Sequence, residues 1–404
     1  MPQENLEQTE EITMQNKVVL STPITHSDWV SHSRQGIGQG QKSVQYMLDR
    51  CKQVGLQKIY WRCFDGGLAN YASQLMDGVS KGFDADCYHA WNPDWDWPDL
   101  QYMKDYAPNF DSLKEAVAYG HQIGLEIHAW VTINEDDHGW GIISRFSRAH
   151  PQFRWIKRGG LPYNSQLSFA FPEVRKYKLE LIKEILRYDT DGVFFDWMRT
   201  GDVRNEPQAT PCGTADFGYE KPLVQSFQAK FDVDPHAIPN DDERWVTLRA
   251  EPQTLFMREA RQLIKGKSER LRISMMGHHP WSYRGATPWI NGNFNGLLLD
   301  VKTWAKEGLI DEAVAAGYFT SHVKGGTPAK AYAYMQEEVG GKCDVWLYWW
   351  LPSNAAEFGE SIKAGEELNA KQILYWEGDY LDYKDRAADA GELQKVMDKY
   401  AGPS

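Results

Sequence analysis

From Lys17 onward the chain alternates between short apolar runs and longer stretches in which apolar positions recur at helical spacing. Short runs bounded by Gly, Pro, Asn or Asp read as strands buried on both faces, and the longer stretches read as amphipathic helices. The pattern predicts strands over 18–24, 58–63, 125–133, 193–197, 271–276, 313–319, 344–350 and 372–376. It predicts helices near 42–54, 113–123, 144–150, 174–188, 251–265, 297–306, 329–339, 355–368 and 391–400. Ser112 and Glu115 have capping-box spacing at the start of the second helix, and Gly124 suits its end. Asp-Thr-Asp-Gly at 189–192 makes the turn into the fourth strand, and 200–243 reads as an insertion rich in Pro, Asp and Gly.

Strands alternating with helices predict an α/β chain, and eight such units close most naturally into a single (β/α)₈ TIM barrel with long loops at its C-terminal face. The rival is an open doubly wound sheet, which usually carries a Gly-rich turn after its first strand. Here that strand runs into Pro23, Thr25 and His26, and the glycines at 36, 38 and 40 lack the nucleotide-binding spacing. No Walker A sequence occurs. Residues 1–16, polar and acidic, are expected to be a disordered N-terminal segment, and 17–404 to form one catalytic domain.

Composition narrows the partners. The net charge of −12, with Lys and Arg scattered, argues against nucleic acid. No apolar run is long enough to span a membrane. Five dispersed cysteines without a C-x-x-C pair read as free thiols, and the polar start lacks a signal-peptide core. Both point to the cytoplasm, or to secretion if the start was trimmed. The 17 Trp, 20 Tyr and 16 Phe change the picture most. Several of the Trp lie in loop-like sequence, among them Trp91, Trp95, Trp97, Trp140, Trp281 and Trp289. An aromatic face stacks on the C–H face of a sugar, or else plugs the space between loops.

In a parallel barrel, functional side chains project from the C-terminal ends of the strands. Glycoside hydrolysis needs two carboxyl groups there, one to protonate the leaving oxygen and one to attack or activate water. Asp196 follows Gly192-Val-Phe-Phe195 and is the first choice for nucleophile or base; the alternative is a cap or a pair with Arg199. A charge at the tip of a buried strand is costly unless used or paired. Glu377 has the same placement on the last strand and is assigned as general acid. Glu135, Asp136 and Asp65 are further acids near the mouth; Glu312 sits at the opposite end of its strand. His26, Arg62, Asp65, His128, Trp130, Glu135, Arg199, His278, Tyr318 and Trp350 are assigned to substrate binding. No cofactor and no metal are expected, although His26, His128, His278 and His279 leave a metal-dependent hydrolase as an alternative. A non-catalytic carbohydrate-binding barrel is the other.

Some of these stretches resemble a known family. Gly124-Leu-Glu-Ile-His-Ala-Trp-Val131 is similar to a strand of the glycosyl hydrolase-like 10 family. So are the segment 147–155 with His150-Pro151, Phe171-Pro-Glu-Val-Arg175, and Tyr188-Asp-Thr-Asp-Gly-Val-Phe-Phe-Asp-Trp-Met-Arg199. Asp300-Val-Lys-Thr-Trp304 and Glu307-Gly-Leu-Ile-Asp311 fit the family's later segment. The resemblance implies a barrel acting on carbohydrate, with Asp196 matching the family's strand-four acid. The chain departs from the pattern at Thr132-Ile-Asn-Glu-Asp-Asp137, and strand seven lacks a terminal Glu.

Overall fold

The computed structural model describes residues 18–25, 40–65, 67–78, 110–134, 136, 144–196, 198, 217–277, 298–315, 327–350, 352 and 354–376. Among them, eight parallel strands close a barrel. We number these β1 (Val19–Ile24), β2 (Lys58–Arg62), β3 (Glu126–Thr132), β4 (Gly192–Asp196), β5 (Arg272–Gly277), β6 (Glu312–Ala315), β7 (Asp344–Trp350) and β8 (Gln372–Trp376). Sequential strands are neighbours all the way round, and β1 pairs with β8 through Val19 opposite Gln372.

The two faces of the sheet carry different chemistry. Side chains alternate along a strand, so residues two apart share a face. Ile59, Trp61, Ile127, Ala129, Val131, Val193 and Phe195 point outward into the layer shared with the helices. Tyr60, Trp130, Phe194, Met276, Val314, Trp346, Tyr348 and Leu374 point inward and fill the barrel. Both faces are apolar in their middle, which is why each strand reads as a near-continuous hydrophobic run.

The predicted helices form where described, at Gln41–Gln53, Ser112–Gln122, Arg145–Ala149, Pro172–Ile185, Glu243–Lys267, Val301–Lys306, Pro328–Val339 and Ala355–Glu367. The capping box at 112–115 is corrected. Asp111 is the N-cap and its carboxylate accepts from the Lys114 N–H. Ser112 lies inside the first turn, donating to the Asn70 carbonyl and accepting from the Trp61 indole. Gly124 ends the helix at φ +76°, as expected of a left-handed position.

The helix expected to start at Glu251 starts at Glu243 instead, capped by Asp242, and runs through Pro252. Pro252, a residue type favoured in a first turn, stands here inside the helix. Two features were not predicted: the antiparallel ribbon of Arg154–Ile156 with Pro162–Leu167, and the helix Lys221–Phe231 inside the supposed insertion. That helix packs Leu223 and Phe227 with Tyr219, Trp245 and Leu248, a small core separate from the barrel. Residues 1–16 and the last predicted helix lie outside the described residues. No helix among the described residues is long and apolar enough to cross a membrane.

Candidate functional site

The barrel interior divides into a charged floor and an aromatic upper half. At the N-terminal end, Lys58 of β2 lies 3.4 Å from Glu312 of β6 and 3.7 Å from Glu126 of β3. Glu312 also accepts from Ser274 and Arg272 of β5, and Arg272 reaches Asp344 of β7. Glu312 is therefore a floor residue, as its position at the start of the strand implies.

His128 belongs to this floor, and its assignment to substrate is corrected. It is on the inner face one pleat repeat below Trp130, about 6–7 Å nearer the N-terminal end. It is fully buried, its ring is 5.4 Å from that of Tyr60, and its Nε2 is 3.3 Å from the Glu126 carboxylate. Burial pulls its pKa below the usual imidazole value, which keeps it neutral at neutral pH.

At the C-terminal end, β2, β3 and β4 bring Arg62, Trp130 and Asp196 together. Arg62 is paired in register with Trp130, and Thr132 with Asp196. The Trp130 indole N–H donates to Asp196 Oδ2 at 3.1 Å. The Arg62 guanidinium lies over the same indole, 5.0 Å from its centroid, while its Nε donates to the Phe64 carbonyl. Trp376 of β8 meets Trp130 edge-on at 5.5 Å, and Tyr348 of β7 lies 6.2 Å from Trp376. Asp196 is 2% exposed, and among the described residues the Trp130 indole is a donor to it.

Trp130 is as buried as Asp196, at 2%. A guanidinium lies over its ring and its N–H is engaged, so the residue assigned to substrate from sequence is here bound to Arg62 and Asp196. Trp350 at the end of β7 is different, being 52% exposed. Asp65 lies on a two-residue strand beyond β2 that pairs with Leu68–Ala69. Asp136, one of the acids after β3, is buried against Lys178 at 2.7 Å and has a structural partner. His26, Glu135, Arg199, His278, Tyr318 and Glu377 lie outside the described residues, as do His279 and the six loop tryptophans. Among the described residues no cluster of three or more His, Cys, Asp or Glu is arranged to hold a metal ion.

Trp376 and Tyr348, at the ends of the last two strands, carry no assigned role from sequence; the period of two marks them, since each lies two positions from an inward-facing residue, Leu374 and Trp346.

A search of curated proteins found no match. Among solved structures, the chain is similar to the catalytic domain of a β-amylase from Paenibacillus polymyxa, at 9% identity and TM-score 0.57, covering 96% of this chain and 99% of that one. It is similar to an α-amylase from Lactobacillus plantarum at 11% identity and TM-score 0.51, covering 96% and 81%. A β-galactosidase from the haloarchaeon Halorubrum lacusprofundi matches at 10% identity and TM-score 0.55, covering 96% and 58%. At such identities the likeness is one of fold. The family model for glycosyl hydrolase-like 10 matches residues 88–353, well over half of the sequence, and the chain belongs to that family.

Proposed function

We propose that the protein is a glycoside hydrolase acting on an oligo- or polysaccharide, with Asp196 as its nucleophile or base. The observation that carries this reading is the place of that carboxylate: the last residue of β4, on the inner face, at the C-terminal end of a parallel barrel. Chemistry in this fold is done at that end. Membership of a glycosyl hydrolase-like family supports the reaction class.

In this mechanism Asp196 attacks the anomeric carbon or draws a proton from water, and a second carboxyl group protonates the departing oxygen. Glu377, next after Trp376 on the β8 side, is assigned that second role. Arg62, Arg199 and His278 bind hydroxyl or carboxylate groups of the sugar. His26, Asp65, Glu135 and Tyr318 are assigned to the substrate as well, and the exposed ring of Trp350 stacks on an outer sugar.

The test is Asp196→Asn, assayed on a panel of aryl glycosides and natural oligosaccharides. The variant folds with an unchanged far-ultraviolet spectrum and loses turnover by several orders of magnitude on whichever glycan the native protein cleaves. Undiminished turnover would remove Asp196 from the reaction. Binding without cleavage by the native protein would favour a carbohydrate-binding barrel instead.

A further inference from the structure

We infer that Trp130 is a positioning residue, whose indole N–H fixes the Asp196 carboxylate in its reactive orientation and holds it in the charged form. The inference rests on the reading of Asp196 given above, and adds to it how a carboxyl group buried among aromatic rings is kept available as an anion.

The argument begins with burial. A carboxylate that is 2% exposed loses most of its hydration, and hydrogen-bond donors must take the place of the lost water. Desolvation on its own raises a carboxyl pKa and favours the neutral acid, which is neither nucleophile nor base. A hydrogen bond donated to the charged form acts in the opposite sense. The Trp130 indole N–H is such a donor, 3.1 Å from Oδ2. An indole N–H can only donate, so it selects the ionised carboxylate as partner in a way a hydroxyl or amide would not.

Geometry makes the donor rigid. Trp130 sits in the C-terminal half of β3, paired in register with Arg62 on one side and Phe194 on the other. The Arg62 guanidinium lies over its ring and Trp376 meets its edge. A guanidinium over an indole is attracted by the ring's negative face. Arg62 thus braces the indole while its N–H locks one carboxylate oxygen of Asp196. Among the described residues, the charged and titratable inner-face groups are Arg62 of β2 at the level of Trp130, Tyr348 of β7 across the barrel, Tyr60 of β2 and His128 of β3 one step below, and Lys58, Glu126 and Glu312 on the floor.

The test needs no substrate. Aspartate labelled with ¹³C at the carboxyl is titrated by NMR in the intact protein, with the Asp196 resonance assigned by its loss in Asp196→Asn. The Trp130 indole ¹⁵N–H resonance is followed in the same samples. We expect the indole resonance to titrate with the midpoint of the Asp196 carboxyl. We expect Trp130→Phe to raise that midpoint by about one unit, since it removes a hydrogen bond to the charged form. If Trp130→Phe fails to fold, benzothienylalanine at position 130, which keeps the shape of indole and lacks the N–H, gives the same reading. Where a cleavable glycan is known, the acid limb of kcat moves up by the same amount while KM is little changed. An indole resonance indifferent to Asp196 ionisation, or an unshifted midpoint with benzothienylalanine, overturns the inference. The two readings fail separately: full turnover in Asp196→Asn sinks the hydrolase assignment and leaves the coupling in place, whereas an inert Asp196→Asn with no coupling sinks only the role of Trp130.

Discussion

At the scale of single residues, the acids of this chain divide by what surrounds them rather than by where they occur in sequence. Asp196 has an indole donor at the mouth, Asp136 has a lysine, and Glu220 has neither in full. Glu220 is 1% exposed; it accepts from the Ile156 N–H at 3.3 Å, and its Oε2 has no hydrogen-bond partner in the structure. Burial pushes its pKa up to about 8, against hydrogen bonds from its own backbone, Ser168 and Ile156 and the nearby charge of Arg249. The folded state therefore keeps a proton that the unfolded chain, with an ordinary glutamate, has released. The sign follows: stability falls as pH rises through the window from about 4.3 to 8, and levels off above it. Glu220→Gln carries no charge to desolvate. Its melting temperature is expected to match the native protein near pH 5 and to exceed it by several degrees at pH 8, measured by calorimetry across that range. A native protein whose stability is flat over the window would show that the carboxyl is solvated after all.

At the scale of elements, strand pattern was legible and loop chemistry was not. The ranges 344–350 and 372–376 match β7 and β8 to the residue, because a buried parallel strand is a continuous apolar run, here opened by Asp344 or Gln372 and closed before Pro352 or at Glu377. Asp196 was legible for the same reason, as the first charge after such a run. His128 was misplaced because a period of two fixes the face of a strand but not the depth along it. The ribbon 154–167 was missed because its strands alternate weakly and one is three residues long. The capping error at Ser112 shows two adjacent cap-competent residues, where the choice was made by a tertiary contact: Trp61 and Asn70 take the serine hydroxyl.

Loop structure depends on partners far away in sequence, and Asp136 is the clearest case. Its carboxylate follows β3, and its partner Lys178 lies on the helix Pro172–Ile185, both side chains almost fully buried. The loop turns tightly here: Gly67, at φ +82°, sits so close that an added Cβ would be 2.4 Å from the Asp136 carbonyl oxygen. Removing the lysine leaves a buried charge without compensation. Lys178→Met is expected to destabilise the fold by about 3–5 kcal/mol in urea titration. Replacing both residues, as in Lys178→Met with Asp136→Leu, is expected to recover much of that loss. A single variant within 1 kcal/mol of the native protein, on the order of a surface pair's worth, would mean that the pair is hydrated.

For the whole molecule, the two ends of the barrel do separate work. The mouth holds the proposed chemistry; the floor ties the strands into one closed object. Lys58, Glu126, Arg272, Ser274, Glu312 and Asp344 link five of the six strands from β2 to β7, and the sixth, β4, passes between as Gly192. Gly192 is required there, since a Cβ would lie 2.4 Å from the Arg272 carbonyl oxygen and 2.5 Å from His128 Nδ1. The ring is completed by Gln372 of β8, which donates to Ser21 of β1 and Tyr60 of β2. Glu312 is the hub, because it accepts from Lys58, Arg272 and Ser274 at once. In Glu312→Gln the lysine loses its buried counter-charge, and the remaining carboxylate near it, Glu126, is largely solvent-exposed. The variant is expected to lose about 3 kcal/mol of stability. Because the network spans the closure rather than one local segment, the loss is global: the urea midpoint falls while the slope of the transition is unchanged. The Asp196 carboxyl, at the other end of the interior, keeps its native titration midpoint. A shallower transition would instead mean that part of the barrel opens alone, and a shifted Asp196 midpoint would mean that floor and mouth are electrostatically one site.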